Sequence, residues 1–90
     1  MMNDQKKEIL EFPVLFPIKV MGLARTSLQR ELHALCHAHC DDFDETKTKC
    51  EYSRSKKYVS ITVIVNAQSR EQLDALYQSF VDHPLVKFVL

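Results

Sequence analysis

The sequence contains very little glycine, and this shortage excludes several classes of protein. Gly22 is the only glycine in the 90 residues. P-loops and dinucleotide-binding turns need several glycines so that the backbone can approach phosphate groups closely. Neither motif can be placed anywhere in the chain. We therefore do not expect a nucleotide-dependent enzyme.

The sequence also lacks long apolar runs and an excess of one charge. Twelve Lys and Arg residues balance twelve Asp and Glu residues, so no net field draws the whole molecule to nucleic acid or to an anionic membrane. The longest apolar stretch, residues 59–65, is too short to span a bilayer. Residues 1–8 are polar and contain no core of a secretory signal. These features predict a cytoplasmic protein with no membrane partner, and they disfavour nucleic acid as a partner.

The sequence contains three cysteines, which is an odd number: Cys36, Cys40 and Cys50. Three cysteines in a chain without an export signal predict reduced thiols rather than a disulfide framework. Cys36 and Cys50 fall on apolar faces of their predicted elements. We therefore expect both to be buried and slow to react, and Cys40 to react faster.

Periodic apolar residues predict regular secondary structure along most of the chain. Apolar residues make up 46% of the sequence and charged residues 27%, which is typical of a globular domain. The predicted elements are strands at about residues 14–21, 46–52, 59–66 and 86–90, and helices at about 26–40 and 69–82. Thr26 with Gln29, and Ser69 with Gln72, have the spacing of capping boxes at the two helix starts. Pro17 cannot donate a ladder hydrogen bond, so we expect that end of the first strand to lie where its neighbour is missing or bulged.

The order β-α-β-β-α-β predicts an α+β, ferredoxin-like fold, because two right-handed crossovers place both helices on one face of a four-stranded antiparallel sheet. The first and third strands would then be central. We expect a flexible tail at residues 1–8 and a single domain over residues 9–90.

Four residues that can bind metal ions recur at helical spacing in the first helix: His33, Cys36, His37 and Cys40. Four ligands on one straight helix do not readily close a tetrahedron. We therefore predict neither a metal site nor a cofactor, and interpret the cluster as a buried thiol beside exposed histidines, although the sequence leaves metal binding open. No third group or oxyanion hole accompanies a Cys–His pair, so we predict that the protein is not an enzyme.

Two candidate sites for binding remain. Gly22, Arg25 and Thr26 lie at a strand-to-helix junction, where free N–H groups and a guanidinium could hold a small carboxylate or an amino acid. The outward face of the sheet, with Thr62, Ile64 and Val89, is partly apolar and could form a dimer or bind a protein partner. Only Tyr58 is aromatic on the third strand, which argues against base stacking by RNA.

Several short runs also carry a resemblance to a known family: Leu10-Glu11-Phe12-Pro13, Phe16, Lys19-Val20-Met21-Gly22, Val59-Ser60-Ile61-Thr62 and Val86-Lys87-Phe88-Val89-Leu90. They are similar to the YbeD-like family of small bacterial cytoplasmic proteins of unknown function, over nearly all of residues 9–90. The resemblance implies a ferredoxin-like fold like that of ACT regulatory domains, which bind amino acids and dimerise. It implies no enzymatic activity and assigns no functional residue. Two functions stay open: an ACT-like, small-ligand-sensing regulatory module, and an adaptor that docks through its exposed sheet face or last edge strand.

Overall fold

A computed structural model describes residues 11–90. The predicted flexible tail, residues 1–8, lies outside the described residues. The elements are β1 (Val14–Leu23), α1 (Leu28–His39), a 3₁₀ turn (Glu45–Lys47), β2 (Lys49–Tyr52), β3 (Tyr58–Ala67), α2 (Arg70–Val81) and β4 (Val86–Val89).

The four strands form one antiparallel sheet in the order β2-β3-β1-β4. The two long strands, β1 and β3, pair along their whole length and are central, while β2 and β4 are the edges. The predicted ferredoxin-like α+β fold is confirmed.

Alternation along the central strands decides which side chains enter the core. Ile18 and Val20 on β1 are fully buried, and every second residue of β3 is buried as well. Side chains on the same face of a strand recur every two residues, so these positions all point to the side that the helices cover. The helices contribute a matching set of buried residues: Leu28, Leu32, Cys36, Leu73, Leu76 and Phe80. Complete burial of one large apolar side chain stabilises a fold by about 1.5–3 kcal/mol before entropy is counted. Among residues 11–90, neither helix combines the length and the apolar character that a bilayer crossing requires.

The pairing of β4 with β1 contains an irregularity that sets the orientation of the last residues. Phe88 lies opposite Met21, but Val86 lies opposite Gly22, so Lys87 is an extra residue on β4. Such a bulge shifts the alternation by one residue. β4 pairs with β1 only from Lys19 onward. Pro17 therefore lies opposite Ile64 of β3 but has no neighbour on the β4 side, which is the first of the two predicted alternatives.

The two helices begin differently. Ser69 caps α2, because its side chain accepts a hydrogen bond from the Gln72 N–H at 3.1 Å. The Gln72 side chain accepts a hydrogen bond from the N–H of Gln68 at 2.6 Å. In a capping box it would accept from the N–H of the cap residue itself, Ser69. The predicted cap at Thr26 is wrong: α1 begins after Ser27, whose side chain makes no capping bond.

Candidate functional site: a groove on the open face of the sheet

The face of the sheet opposite the helices is not covered by any described element. Lys19 and Met21 alternate with the buried residues of β1 and therefore point to this face. Ser60 lies opposite Met21, and Thr62 lies opposite Lys19, so these β3 side chains share the face. We call it the outer face.

A concavity of about 360 Å³ lies at one end of the outer face. Met21, Tyr58 and Phe88 line it, together with Ser53 and Lys87. Tyr58 is 41% exposed and Phe88 is 51% exposed, so both rings are open to a partner. A volume of this size accommodates one or two large apolar side chains or a small ligand.

A second concavity of about 210 Å³ shares Met21, Ser53 and Tyr58 with the first. It adds Lys19, Glu51, Tyr52 and Ser60. Because the two are contiguous, we call them together the sheet-face groove; it runs from β4 across β1 and β3 to β2. The groove is apolar at the β4 end and charged at the β2 end.

The lining of the groove supplies binding groups and no catalytic constellation. It offers aromatic rings, a thioether, hydroxyl groups and lysine ammonium groups, with Glu51 as its one carboxylate. Neither cavity is lined by a histidine or a cysteine. General acid–base or nucleophilic chemistry requires a paired acid and base, or a nucleophile beside a base. The groups present in the groove can bind a partner through apolar contacts, hydrogen bonds and ion pairs.

Two of the three residues of the predicted partner surface lie on the outer face, and the third does not. Thr62 and Ile64 lie on the outer face and are half-buried, and their role in binding stays a prediction. The placement of Val89 there is wrong, because it lies opposite the buried Val20 and packs against the core. The bulge at Lys87 turns Val89 inward and Phe88 outward. Alternation could not identify this, since every residue from 85 to 90 except Lys87 is apolar.

Gly22 lies inside β1 rather than at its end, and close packing explains the glycine. A Cβ atom at this position would lie 2.6 Å from the carbonyl oxygen of Leu85 and 2.9 Å from Cδ2 of Leu28. Both distances are shorter than van der Waals contact. Glycine is therefore required here by the approach of the α2–β4 connection and of α1.

The other two residues of the predicted ligand loop, Arg25 and Thr26, have exposed side chains. Most backbone N–H groups near them already donate hydrogen bonds within the protein. The N–H groups of Leu23, Ala24 and Leu28 donate to the backbone carbonyls of Leu85, Lys57 and Arg25, at 2.9, 2.9 and 3.1 Å. Ligand binding by Gly22, Arg25 and Thr26 stays a prediction, and the loop offers fewer free donors than its sequence indicated.

The histidines of α1 attach the 3₁₀ turn to the helix. His33 is buried, contrary to the expectation of exposure, and its Nε2 lies 2.8 Å from Oγ1 of Thr48. Oε1 of Glu45 lies 3.5 Å from Nδ1 of His33 and 3.2 Å from Nε2 of His37. The ring of Phe43 packs against both imidazoles, at centroid distances of 5.5 and 5.1 Å. These contacts account for both histidines as structural groups.

Cys36 and Cys40 are buried in the core. Within residues 11–90, no three His, Cys, Asp or Glu side chains are arranged to hold a metal ion. Burial raises the pKa of the Cys36 thiol to about 12, and the neighbouring Cys40 adds to the shift. Burial also raises the pKa of Cys40, with smaller contributions from Asp42 and Asp41. Both thiols are therefore protonated and poor nucleophiles at neutral pH.

Two expectations about the thiols are wrong: Cys40 is buried and Cys50 is exposed. Cys50 lies opposite the buried Ile61, so its assignment to the helix side of the sheet is correct. It is exposed because β2 is an edge strand, and all four of its residues extend beyond the cover of the helices.

Comparison with known proteins places the whole described domain in one family. Residues 7–90 match the profile of a family described as "Protein of unknown function (DUF493)". A UPF0250 protein of Janthinobacterium sp. (strain Marseille) is 41% identical over 87 residues, which cover 97% of this chain and 96% of the relative. Those of Nitrosomonas europaea and Chromobacterium violaceum are 36% and 37% identical, covering 94% and 99% of this chain and 98% and 100% of the relatives. This agrees with the resemblance seen in the sequence: the chain belongs to the DUF493 (UPF0250) family of small bacterial proteins, whose function is unknown.

Proposed function

We propose that this chain is a non-catalytic adaptor that binds another protein through the sheet-face groove. The observation that carries the proposal is the exposure of Tyr58 and Phe88 around Met21, on a face that no described element covers. Exposed aromatic residues gathered around a concavity are typical of sites that bind a partner, whereas single apolar residues scattered over a surface are not.

The charges on the outer face favour a different protein as the partner rather than a second copy. Lys19 and Lys87 line the groove. A two-fold dimer through this face would bring the same patch of both molecules together. The interface would then hold the lysines of both copies, with Glu51 as the one acidic side chain of each groove, and an excess of like charge in a desolvated contact is unfavourable.

An ACT-like regulatory module that senses a small ligand is the second function that the sequence left open. It has less support, because the predicted loop at Arg25 and Thr26 uses its neighbouring N–H groups within the fold. None of the four cavities described for residues 11–90 is lined by either residue.

A photo-crosslinking amino acid at position 58 tests the proposal in a bacterial cytosolic extract, with the same amino acid at position 29, exposed on α1, as the matched control. A protein that crosslinks only from position 58 is then purified and titrated against the wild-type chain. Phe88→Ser should weaken its affinity by about tenfold or more, because loss of a buried aromatic anchor typically costs over 1 kcal/mol. Gln29→Ser should leave the affinity unchanged.

Two results would contradict the proposal. One is that crosslinks from position 58 join only copies of this chain, with dimers found by light scattering. The other is that Phe88→Ser binds the purified partner as tightly as the wild type does. A separate experiment, titration with amino acids followed by nuclear magnetic resonance, tests the alternative function. Chemical-shift changes confined to residues 21–28 would favour ligand sensing instead.

A further inference from the structure

Cationic side chains outnumber acidic ones on the outer face and in the β2–β3 hairpin, although the net charge of the protein is zero. Six cationic residues lie on the outer face or in the β2–β3 hairpin: Lys19, Lys49, Arg54, Lys56, Lys57 and Lys87. Glu51 is the one acidic side chain in the same region among residues 11–90. The groove is therefore bordered by positive charge.

The carboxylates of the described chain are concentrated elsewhere. Four lie in the connection that follows α1: Asp41, Asp42, Asp44 and Glu45. Others lie on the helices or directly after them: Glu31, Glu71, Asp74 and Asp82. Within residues 11–90 the ion pairs all join a histidine to a glutamate, so none neutralises a lysine at the groove. The positive field at the groove is available to a partner.

We infer that the segment bound in the groove is an acidic stretch of another protein with one aromatic or branched aliphatic anchor; this rests on the proposed function. The anchor would enter the cavity between Met21, Tyr58 and Phe88, which is large enough for at least one large side chain. Carboxylates on either side of the anchor would lie near Lys19 and Lys87. One exposed ion pair contributes little affinity, but several together steer association and exclude basic partners.

The acidic connection after α1 does not offer such a segment to a second copy of this chain. The acidic connection after α1 has one large apolar residue, Phe43, and its side chain is buried against His33 and His37. The acidic side therefore has no exposed anchor at that point.

Single-stranded nucleic acid also carries negative charge, but the aromatic residues are poorly placed to bind it. Base stacking on a sheet of this kind uses aromatic residues on the central strands. Here Tyr58 is at the first residue of β3, and the other two aromatic residues of the groove, Tyr52 and Phe88, are on edge strands. Ser60 and Thr62 occupy the middle of β3. Glu51 within the groove would repel phosphate groups.

The test uses a fluorescent 12-residue peptide that contains six Glu residues and a central Phe. Three matched probes accompany it: one with Phe replaced by Ala, one with Glu replaced by Gln, and a 12-nucleotide oligouridylate. The acidic peptide should bind and shift the amide resonances of Met21, Tyr58 and Phe88. Its affinity should fall about tenfold in Lys87→Glu and about tenfold on raising the salt from 50 to 500 mM. Arg30→Glu, an exposed charge reversal on α1, should have little effect.

Four results overturn the inference. They are equal binding of the Gln peptide, equal binding of the Ala peptide, tighter binding of the oligouridylate, and the absence of shifts in the groove with every acidic probe. These failures are distinct from failure of the proposed function. A purified partner that needs Phe88 but binds through a neutral or basic segment would leave the adaptor function intact and reject the acidic segment alone.

Discussion

His83, in the connection between α2 and β4, is hydrogen-bonded to Glu31 of α1. Nε2 of His83 donates a hydrogen bond to Oε1 of Glu31 at 2.6 Å, across 52 residues of sequence. Its Nδ1 accepts the N–H of Leu85 at 3.1 Å, which assigns the proton to Nε2. The same imidazole therefore ties α1 to the connection before β4 and holds Leu85, whose carbonyl lies against Gly22.

The first prediction is that His83→Ala destabilises the protein by about 1–2 kcal/mol. The substitution removes two hydrogen bonds and leaves the N–H of Leu85 without its acceptor, and such losses cost about this much. Urea denaturation gives the free energy of unfolding. His39→Ala, near the end of α1, is the matched control and should change the stability little. Equal stability of the His83→Ala variant and the wild type would show that the link is not a stabilising contact.

The second prediction separates the two sequence patterns that resemble capping boxes. Ser69→Ala should lower the free energy of unfolding by about 1 kcal/mol, because it removes the acceptor for the Gln72 N–H. Thr26→Ala should leave it nearly unchanged, because α1 begins after Ser27. Each variant removes a side chain that carries a hydroxyl group, so the two can be compared directly by thermal or urea unfolding. A larger loss for Thr26→Ala than for Ser69→Ala would contradict the helix start seen in the structure.

The third prediction concerns the thiols. Cys50 should react with a thiol reagent in the native protein at least about tenfold faster than Cys36 and Cys40, which are buried and have raised pKa values. Mass spectrometry of labelled peptides over time measures each rate. Cys50→Ser should remove the fast phase, and denaturant should make the remaining two thiols reactive. Fast native labelling at Cys36 would contradict its place in the core.

The fourth prediction follows from the burial of His33, which lowers its pKa below the ordinary value of 6.5. Glu45 opposes this shift and His37 adds to it, but burial has the larger effect. Below pH 6.5 the unfolded chain therefore takes up a proton at this position more readily than the folded protein does. The contribution of His33 to stability is present above about pH 6.5 and is lost as the pH falls below it.

Free energies of unfolding at pH 7 and pH 5 test this effect. His33→Gln removes the titrating group, so the loss of stability between pH 7 and pH 5 should be smaller in the variant than in the wild type. His37→Gln, at the partly exposed neighbouring histidine, is the control, and its free energies of unfolding are measured at the same two pH values. An unchanged difference between the two pH values in His33→Gln would contradict the prediction.

Local patterns were sufficient to predict the fold and the central strands. The alternation at Ile18 and Val20, and along residues 59–66, is a property of a few adjacent residues and needs no knowledge of distant partners. The order of the elements then restricts the topology, because crossovers between parallel strands are right-handed. The prediction of a missing neighbour at Pro17 likewise followed from one residue's lack of an N–H group.

The groove could not be predicted in the same way. Its lining comes from β1, β4 and the hairpin between β2 and β3, and the bulge at Lys87 determines that Phe88 rather than Val89 reaches it. A bulge depends on how two strands meet, and the apolar residues around Lys87 carry no alternation that would indicate the face. The roles of His33 and His83 also depend on partners 15 and 52 residues away.

The sequence by itself determined the order of the elements, the face of the sheet on which Cys50 lies and the lack of a phosphate-binding loop, because each depends on the local pattern or on composition. Only the tertiary structure decided whether those positions are covered. Cys50 is exposed because β2 lies beyond the helices, while Gly22 is enclosed because Leu28 and Leu85 converge on it. It also decided that a chain of zero net charge has a positive face around an apolar groove. Net charge is a sum over residues, whereas the field that a partner meets depends on where the chain places them.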